Sequence, residues 1–382
     1  MVPIGVGFIG LRASTLLRKE LITLPGYWGA NAHLPSIQVL PEDYQIVAVL
    51  NSSVESSKKA IECYGLPEGT KAYGNPEDLA NDPRVQLVVI SVDVRKHYML
   101  AKPALLAKKD VFVEWPLAAT LAQSEELTKL AADAGVRTMV CTQARGDPLI
   151  VKLKQLLASG KIGRVISSSV IGSASFLPVD SWMAGGEYYL DINSGANEFF
   201  VTLGHFLDTF VDVLGDFADV NALMKTFFPI VPIYNSKGEL VNRGYKKTAP
   251  DHMLIHGTLE SEAVASIALR KTVGAVDEHC FRWIITGTEG ELEVAVPMGV
   301  FQFGEAKRAL RIKIGKNPTE DVEFLAKDDI LESQVPYPGT NVARLYSNFA
   351  KNDTQNFSSF QSALKSARTL DRILRAAGWD SV

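Results

Sequence analysis

The residues able to move protons sit in two places along the chain. Glu114, Trp115 and Pro116 follow a short strand-like run that begins at Asp110, and the middle position holds an indole, which donates a hydrogen bond but cannot shuttle a proton. Farther on, Glu187, Tyr188, Tyr189, Asp191, Asn193, Asn197 and Glu198 cluster just before a helical stretch, Phe199 to Val213, that carries His205. A histidine titrates at about 6.5 and, as a positioned general acid or base, contributes about 10²–10⁴-fold in rate. His205, Tyr188 and Glu198 are therefore the candidate catalytic groups, with a tyrosine or glutamate able to protonate a carbonyl oxygen. Trp28, Trp182, Tyr189 and Asn197 are the candidate substrate contacts, the indoles serving as apolar wall. Structural roles compete with each assignment: His205 also fits a core histidine bonded to Asp208 one turn on, and Tyr188 and Tyr189 also fit packing at a domain interface. His252 and His256 are four apart in a strand-like run with no third ligand, so no metal site is expected.

These groups need a frame, and the first 145 residues supply one pattern. Strand-like runs at Pro3 to Ile9, Gln45 to Leu50, Val85 to Ser91, Val111 to Glu114 and Arg137 to Cys141 alternate with helical stretches such as Ser52 to Tyr64, His97 to Ala107 and Leu121 to Ala134. That alternation is the mark of a doubly wound α/β sheet, in which ligands bind beyond the carboxyl ends of the strands. Residues 1–145 are read as a dinucleotide-binding Rossmann domain. From about Arg164 short strand-like runs dominate (Val165 to Ile171, Met253 to Leu259, Ala263 to Leu269, Phe281 to Thr286, Gly290 to Val296), with a terminal helix from about Phe357 to Ala376. Residues 146–382 are read as an α+β domain with an open, mostly antiparallel sheet, serving substrate binding and oligomerisation; its terminal helix is a candidate to pack back on the first domain.

The string Gly5-Val6-Gly7-Phe8-Ile9-Gly10 matches GxGxxG but lies mostly inside the first strand, whereas a phosphate loop belongs on the turn that leaves it. That turn is Gly10, Leu11, Arg12, Ala13, Ser14 and Thr15, with one glycine; Arg12, Ser14 and backbone N–H groups remain to hold phosphate. The second strand ends at Asn51, Ser52 and Ser53, without the carboxylate that bonds a ribose 2′-hydroxyl, and Lys58 and Lys59 are near. The expected cofactor is NADP, with NAD the alternative, and Ser91, at the end of a later strand, joins the set.

Composition bounds the rest. The chain has 382 residues, 47% hydrophobic and 21% charged, with a formal net charge of −4. A core of that size and near-balanced charge give no support to direct binding of nucleic acid. Three scattered cysteines suggest a reducing compartment, and no stretch reads as a signal peptide or membrane span. A cytoplasmic location is expected, or a nuclear one for a regulator.

Gly7 to Gly10, His97, Glu114 to Pro116, Gln143 to Arg145, Gly160 to Gly163 and Gly204 to Asp208 together resemble the glucose-fructose oxidoreductase, inositol dehydrogenase and MocA family over nearly the whole chain. The resemblance implies an amino-terminal Rossmann domain, a carboxyl-terminal α/β domain whose open sheet mediates dimer contacts, and His97, Glu114, Trp115, Pro116 and Arg145 at the cofactor cleft. The family's enzymes carry a lysine, an aspartate and a histidine where this chain has Trp115, Val201 and His205. Phe112 to Trp115, Asp191-Ile192, Thr248 to His252 and Gly257 to Leu259 are further similar to the family's fungal galactose-pathway corepressor branch. That likeness implies a dinucleotide-bound regulator without turnover, taking a protein activation domain in its cleft instead of a small-molecule substrate. Leu16 to Pro25 looks like an insertion in the first βα connection. A homodimer is expected on either reading.

Overall fold

The computed structural model describes the chain apart from residues 1, 15–25, 175–176, 277–278, 298–300, 305–306 and 380–382. Two compact units divide it: residues 1–146 with 328–365, and residues 147–327 with 366–382. The helix Phe360–Ala376 is split at Lys365 between them.

The first unit is built on six parallel strands, β1 (Ile4–Ile9), β2 (Tyr44–Leu50), β3 (Lys71–Tyr73), β4 (Leu87–Ile90), β5 (Asp110–Glu114) and β6 (Thr138–Cys141), in the order β3-β2-β1-β4-β5-β6. This is the doubly wound order of dinucleotide-binding sheets. The strands are apolar on both faces because helices cover both; Leu87, Val88, Val89 and Ile90 are wholly buried. Gly5 and Gly7 lie inside β1, where a Cβ would stand 1.9 Å from the Arg84 carbonyl oxygen and 2.9 Å from Leu79. Their glycines serve close packing of the sheet. The helix Leu121–Ala134 begins where Thr120 accepts from the Gln123 N–H and ends at Gly135 in the left-handed region (φ 64°). The helix Thr340–Ala350 adds Val342, Leu345, Tyr346 and Phe349 to the core around Phe8 and Phe112, so a late stretch of sequence completes the first unit.

The second unit carries β7 (Val165–Ser173), β8 (Trp182–Met183), β9 (Phe217–Lys225), β10 (Ile230–Tyr234), β11 (Leu240–Lys246), β12 (His252–Leu259), β13 (Val264–Arg270), β14 (Phe281–Gly287), β15 (Gly290–Val296), β16 (Ala309–Ile314) and β17 (Glu320–Asp321). Eight form an open sheet in the order β17-β16-β15-β14-β7-β13-β12-β9, antiparallel except for the β7–β13 pair. Its inner face is closed by the helix Gly204–Leu214, whose Phe206 and Phe210 rings meet Phe281, Trp283 and Phe217. β8, β10 and β11 form a small sheet around Trp182, Leu190, Val231 and Ile233.

The helix expected from Phe199 to Val213 is interrupted in kind. Its first turn, Glu198–Leu203, is a π-helix and only Gly204–Leu214 is α. A π turn widens the backbone at the point where buried polar side chains converge.

Candidate functional site

In the first unit, sheet register brings four strand ends into one row. Ile9 is level with Leu50 and Ile90, and Ile90 with Val113, so Gly10, Asn51, Ser91 and Glu114 stand side by side beyond the carboxyl edge. Gly10 leaves β1 at φ 98° with its Cα so near β4 that a Cβ would lie 2.3 Å from the Ser91 carbonyl oxygen. Leu11 is buried, while Arg12 is exposed and its guanidinium lies 4.8 Å from the Tyr27 ring centre. The Tyr64 hydroxyl donates to the Arg12 carbonyl, and the Cys63 thiol to that of Ser14, which ties this turn to the helix that follows β2. Asn51 donates through Nδ2 to the carbonyls of Leu11 and Ser56, and Ser53 caps the helix Val54–Cys63, so both are partly spent on holding the rim; Ser52 is exposed. Thr15 and the Leu16 to Pro25 insertion lie outside the described residues. Gly10 to Ser14 have no helical conformation, and the first helical turn described after β1 is Gly29–His33. Lys58 and Lys59 are on the exposed face of their helix.

Glu114 sits in a hydrogen-bonded knot that the sequence reading missed. Its Oε1 accepts from Trp28 Nε1 at 2.8 Å and from His33 Nε2 at 2.5 Å, while Tyr346 Oη lies 2.8 Å from His33 Nδ1. The Nε2–H tautomer satisfies both contacts, donating to the carboxylate and accepting the tyrosine hydroxyl. Cys141, level with Glu114 on β6, keeps its thiol proton because burial, and then the Glu114 charge, raise its pKa well above the ordinary value. His33, Glu114 and Cys141 have donor atoms within 4.8 Å of one another, the donor types of a metal site, but here they are engaged with one another. Trp28 is thus anchored at its polar edge. Trp115 is buried, and His97, also buried, has Nδ1 2.9 Å from the Pro116 carbonyl and Nε2 3.0 Å from that of Val92. Burial holds the His97 pKa below its ordinary value. It pins two loops together. Arg145 is buried in the turn Gln143–Gly146.

In the second unit, Glu198 is the centre. Its two oxygens take Lys271 Nζ at 2.5 Å and Lys247 Nζ at 2.6 Å, and all three side chains are at most 3% exposed. Lys247 also reaches Asp251, whose carboxylate accepts from the N–H groups of Phe227 and Phe228 and pairs with His252. Burial alone would raise the Asp251 pKa; these donors reverse the effect and hold it below the usual carboxylate range. The Lys271 pKa is lowered, by burial first and by the Lys247 charge, against the pull of Glu198. Lys271 also lies 5.2 Å from the Trp182 ring centre, and Trp182 stacks on Tyr189. Tyr189 bonds Thr202 at 2.6 Å, and burial raises its pKa. Tyr188 is half-buried nearby in the turn Glu187–Leu190.

The structure thus brings Glu198, Tyr189 and Trp182 together and adds Lys247, Lys271 and Asp251. Asn197 is a correction: its Oδ1 accepts from the N–H groups of Phe199 and Phe200 and its Nδ2 donates to the carbonyls of Asp191 and Ile192. Every hydrogen-bonding position of that amide is used, leaving none for substrate. His205 is buried in the first turn of Gly204–Leu214, and Asp208 accepts from Ser366 Oγ at 2.9 Å. His252 and His256 share the outward face of β12.

Comparison with known proteins places these features. Residues 23–142 match the oxidoreductase family with an NAD-binding Rossmann fold, and residues 148–296 match the Gal80p carboxyl-terminal domain. The chain is 30% identical over 338 residues to dehydrogenase aclE of Aspergillus oryzae, covering 88% of each. It is 31% identical over 302 residues to the galactose/lactose metabolism regulatory protein GAL80 of Kluyveromyces lactis, covering 76% of this chain but 64% of the regulator. The crystal structure of Gal80p from that yeast superposes with a TM-score of 0.83 at 27% identity, over 98% of this chain and 92% of the other. With its Rossmann sheet, its mostly antiparallel second sheet and these likenesses, the chain belongs to the Gfo/Idh/MocA oxidoreductase family, with a Gal80-like carboxyl-terminal domain.

Proposed function

We propose that the chain is an NADP(H)-dependent oxidoreductase that acts on a small carbonyl or hydroxyl compound without the usual lysine. The observation that carries this reading is the sequence likeness to a dehydrogenase over 88% of both chains, where the sequence likeness to the regulator spans 64% of it. The rim formed by Arg12, Asn51, Ser52 and Ser53 carries no carboxylate, which favours a 2′-phosphate over a free ribose hydroxyl. In the second unit His205, Tyr188 and Glu198 are the acid–base groups. Calorimetric titration with the four nicotinamide dinucleotides tests the cofactor: NADP(H) should bind more tightly than NAD(H). Heat with none of them would remove the reading, and a preference for NAD(H) its specificity.

A second reading is favoured by the Gal80p-type domain across residues 148–296. On it the chain is a dinucleotide-bound corepressor without turnover, nuclear in place, binding an acidic activation-domain peptide. Peptide binding that depends on the dinucleotide, with no redox activity on any carbonyl screened, would select it over the cytoplasmic enzyme. Both readings include a homodimer.

A further inference from the structure

Behind the π turn the second unit has a recess that opens in part to solvent. Phe206, Met253, Leu269 and Phe281 give it apolar walls, and Glu198, Asp251, Arg270 and Lys271 are the charged groups in its lining. An ammonium has three N–H donors. Among the described residues the Lys271 ammonium makes one hydrogen bond, to Glu198, and is 3% exposed. Two donors of a buried cation are thus unspent at the edge of an apolar recess, and burying a charge so thinly bonded is costly. Glu198 gives one oxygen to each lysine, and a carboxylate oxygen has a second lone pair to offer. Donors and acceptors therefore meet at one polar end, opposite a hydrocarbon body.

We propose that this recess binds small, largely apolar molecules through one oxygen function, a carbonyl that accepts from Lys271 or a hydroxyl that bonds both Lys271 and Glu198. Such molecules are the substrate class of the enzyme proposed above, and the word substrate rests on that reading.

Fluorine NMR with 4-fluoroacetophenone, 4-fluorobenzyl alcohol and 4-fluorotoluene tests the site on the whole protein with NADP(H). The ketone and the alcohol should bind saturably and the toluene at least 10-fold more weakly. Lys271→Met should weaken the ketone at least 10-fold and leave dinucleotide binding as it was. If that variant fails to fold, Glu198→Gln/Lys271→Met removes a buried anion and cation together, and the same loss is expected from it. Equal binding of 4-fluorotoluene, or unchanged ketone affinity in a folded variant, would overturn the proposal. NADPH oxidation followed alongside separates the two ideas. Binding that depends on Lys271 without turnover leaves the site standing and sinks the enzyme. Turnover untouched by Lys271→Met does the reverse.

Discussion

At the scale of single residues the chain departs from the family's proton-handling set. Trp115 and Val201 stand where the family's enzymes carry a lysine and an aspartate, and only His205 remains. Trp115→Lys is therefore expected to give no measurable oxidation of inositol or glucose, because such groups act as a unit and a single restoration recovers little. Robust sugar oxidation by that variant would show that His205 and one lysine suffice. His205→Asn should lower turnover of the true substrate by at least about 10²-fold with dinucleotide affinity nearly unchanged; loss of affinity instead would assign the ring a binding role. His97 gives a prediction in pH. Its folded pKa is below the ordinary value, whereas the unfolded chain takes up that proton at about pH 6.5. Its contribution is therefore present above about pH 6.5 and is lost as pH falls through the folded pKa. Urea midpoints measured from pH 7.5 to 5 should fall less in His97→Gln than in the parent, and parallel curves would place the titration elsewhere.

At the scale of elements, the site is held by turns and caps more than by the strands themselves. Gly10→Ala must fit a Cβ at φ 98°, 2.3 Å from the Ser91 carbonyl, and should cost at least about 2 kcal/mol in unfolding experiments as well as dinucleotide affinity. Asn197→Ala removes the cap of the π turn and should cost about 1–2 kcal/mol, measured by denaturant unfolding, with unchanged affinity for small ketones. A selective loss of ketone binding would return Asn197 to the substrate set. The contrast shows what was legible. β1, β2, β4, β5 and the helix Leu121–Ala134 stood out in the sequence because buried parallel strands read as unbroken apolar runs and because Thr120 and Gly135 bracket the helix. The decoy GxGxxG could be set aside because its first two glycines fall inside a strand pattern. β9, β10, β11 and β16 did not stand out: β11 is almost wholly exposed, so no period of buried residues marks it. Lys247 and Lys271 were invisible for a related reason. A lysine near a strand end reads as solvated, and only the fold shows that both meet Glu198 from other elements.

At the scale of the molecule, the eight-stranded sheet of the second unit has one face closed by the helix Gly204–Leu214 and one face open. On the open face Leu223, Leu254 and Ile171 lie along one row across β9, β12, β13 and β7, with Ala268 between the last two, and Val264 lies nearby on β13. These four large side chains are each more than half exposed. The next row on this face holds Asn221, His256, Ser266 and Ser169, and Arg282 follows Ile171 on β14. A monomer rarely leaves so continuous an apolar patch in water, and a sheet face that meets its own copy about a two-fold axis buries the same residues twice. The homodimer proposed for this chain should use that face. Light scattering coupled to size exclusion should give a dimer for the parent, and Leu254→Glu, which places a carboxylate at the middle of the row, should give a monomer with unchanged far-ultraviolet circular dichroism and unchanged dinucleotide affinity. A monomeric parent would remove the dimer, and a variant that stays dimeric would move the interface to another surface. A monomer that keeps its cofactor but loses turnover would show that the partner copy shapes the recess beside Lys271.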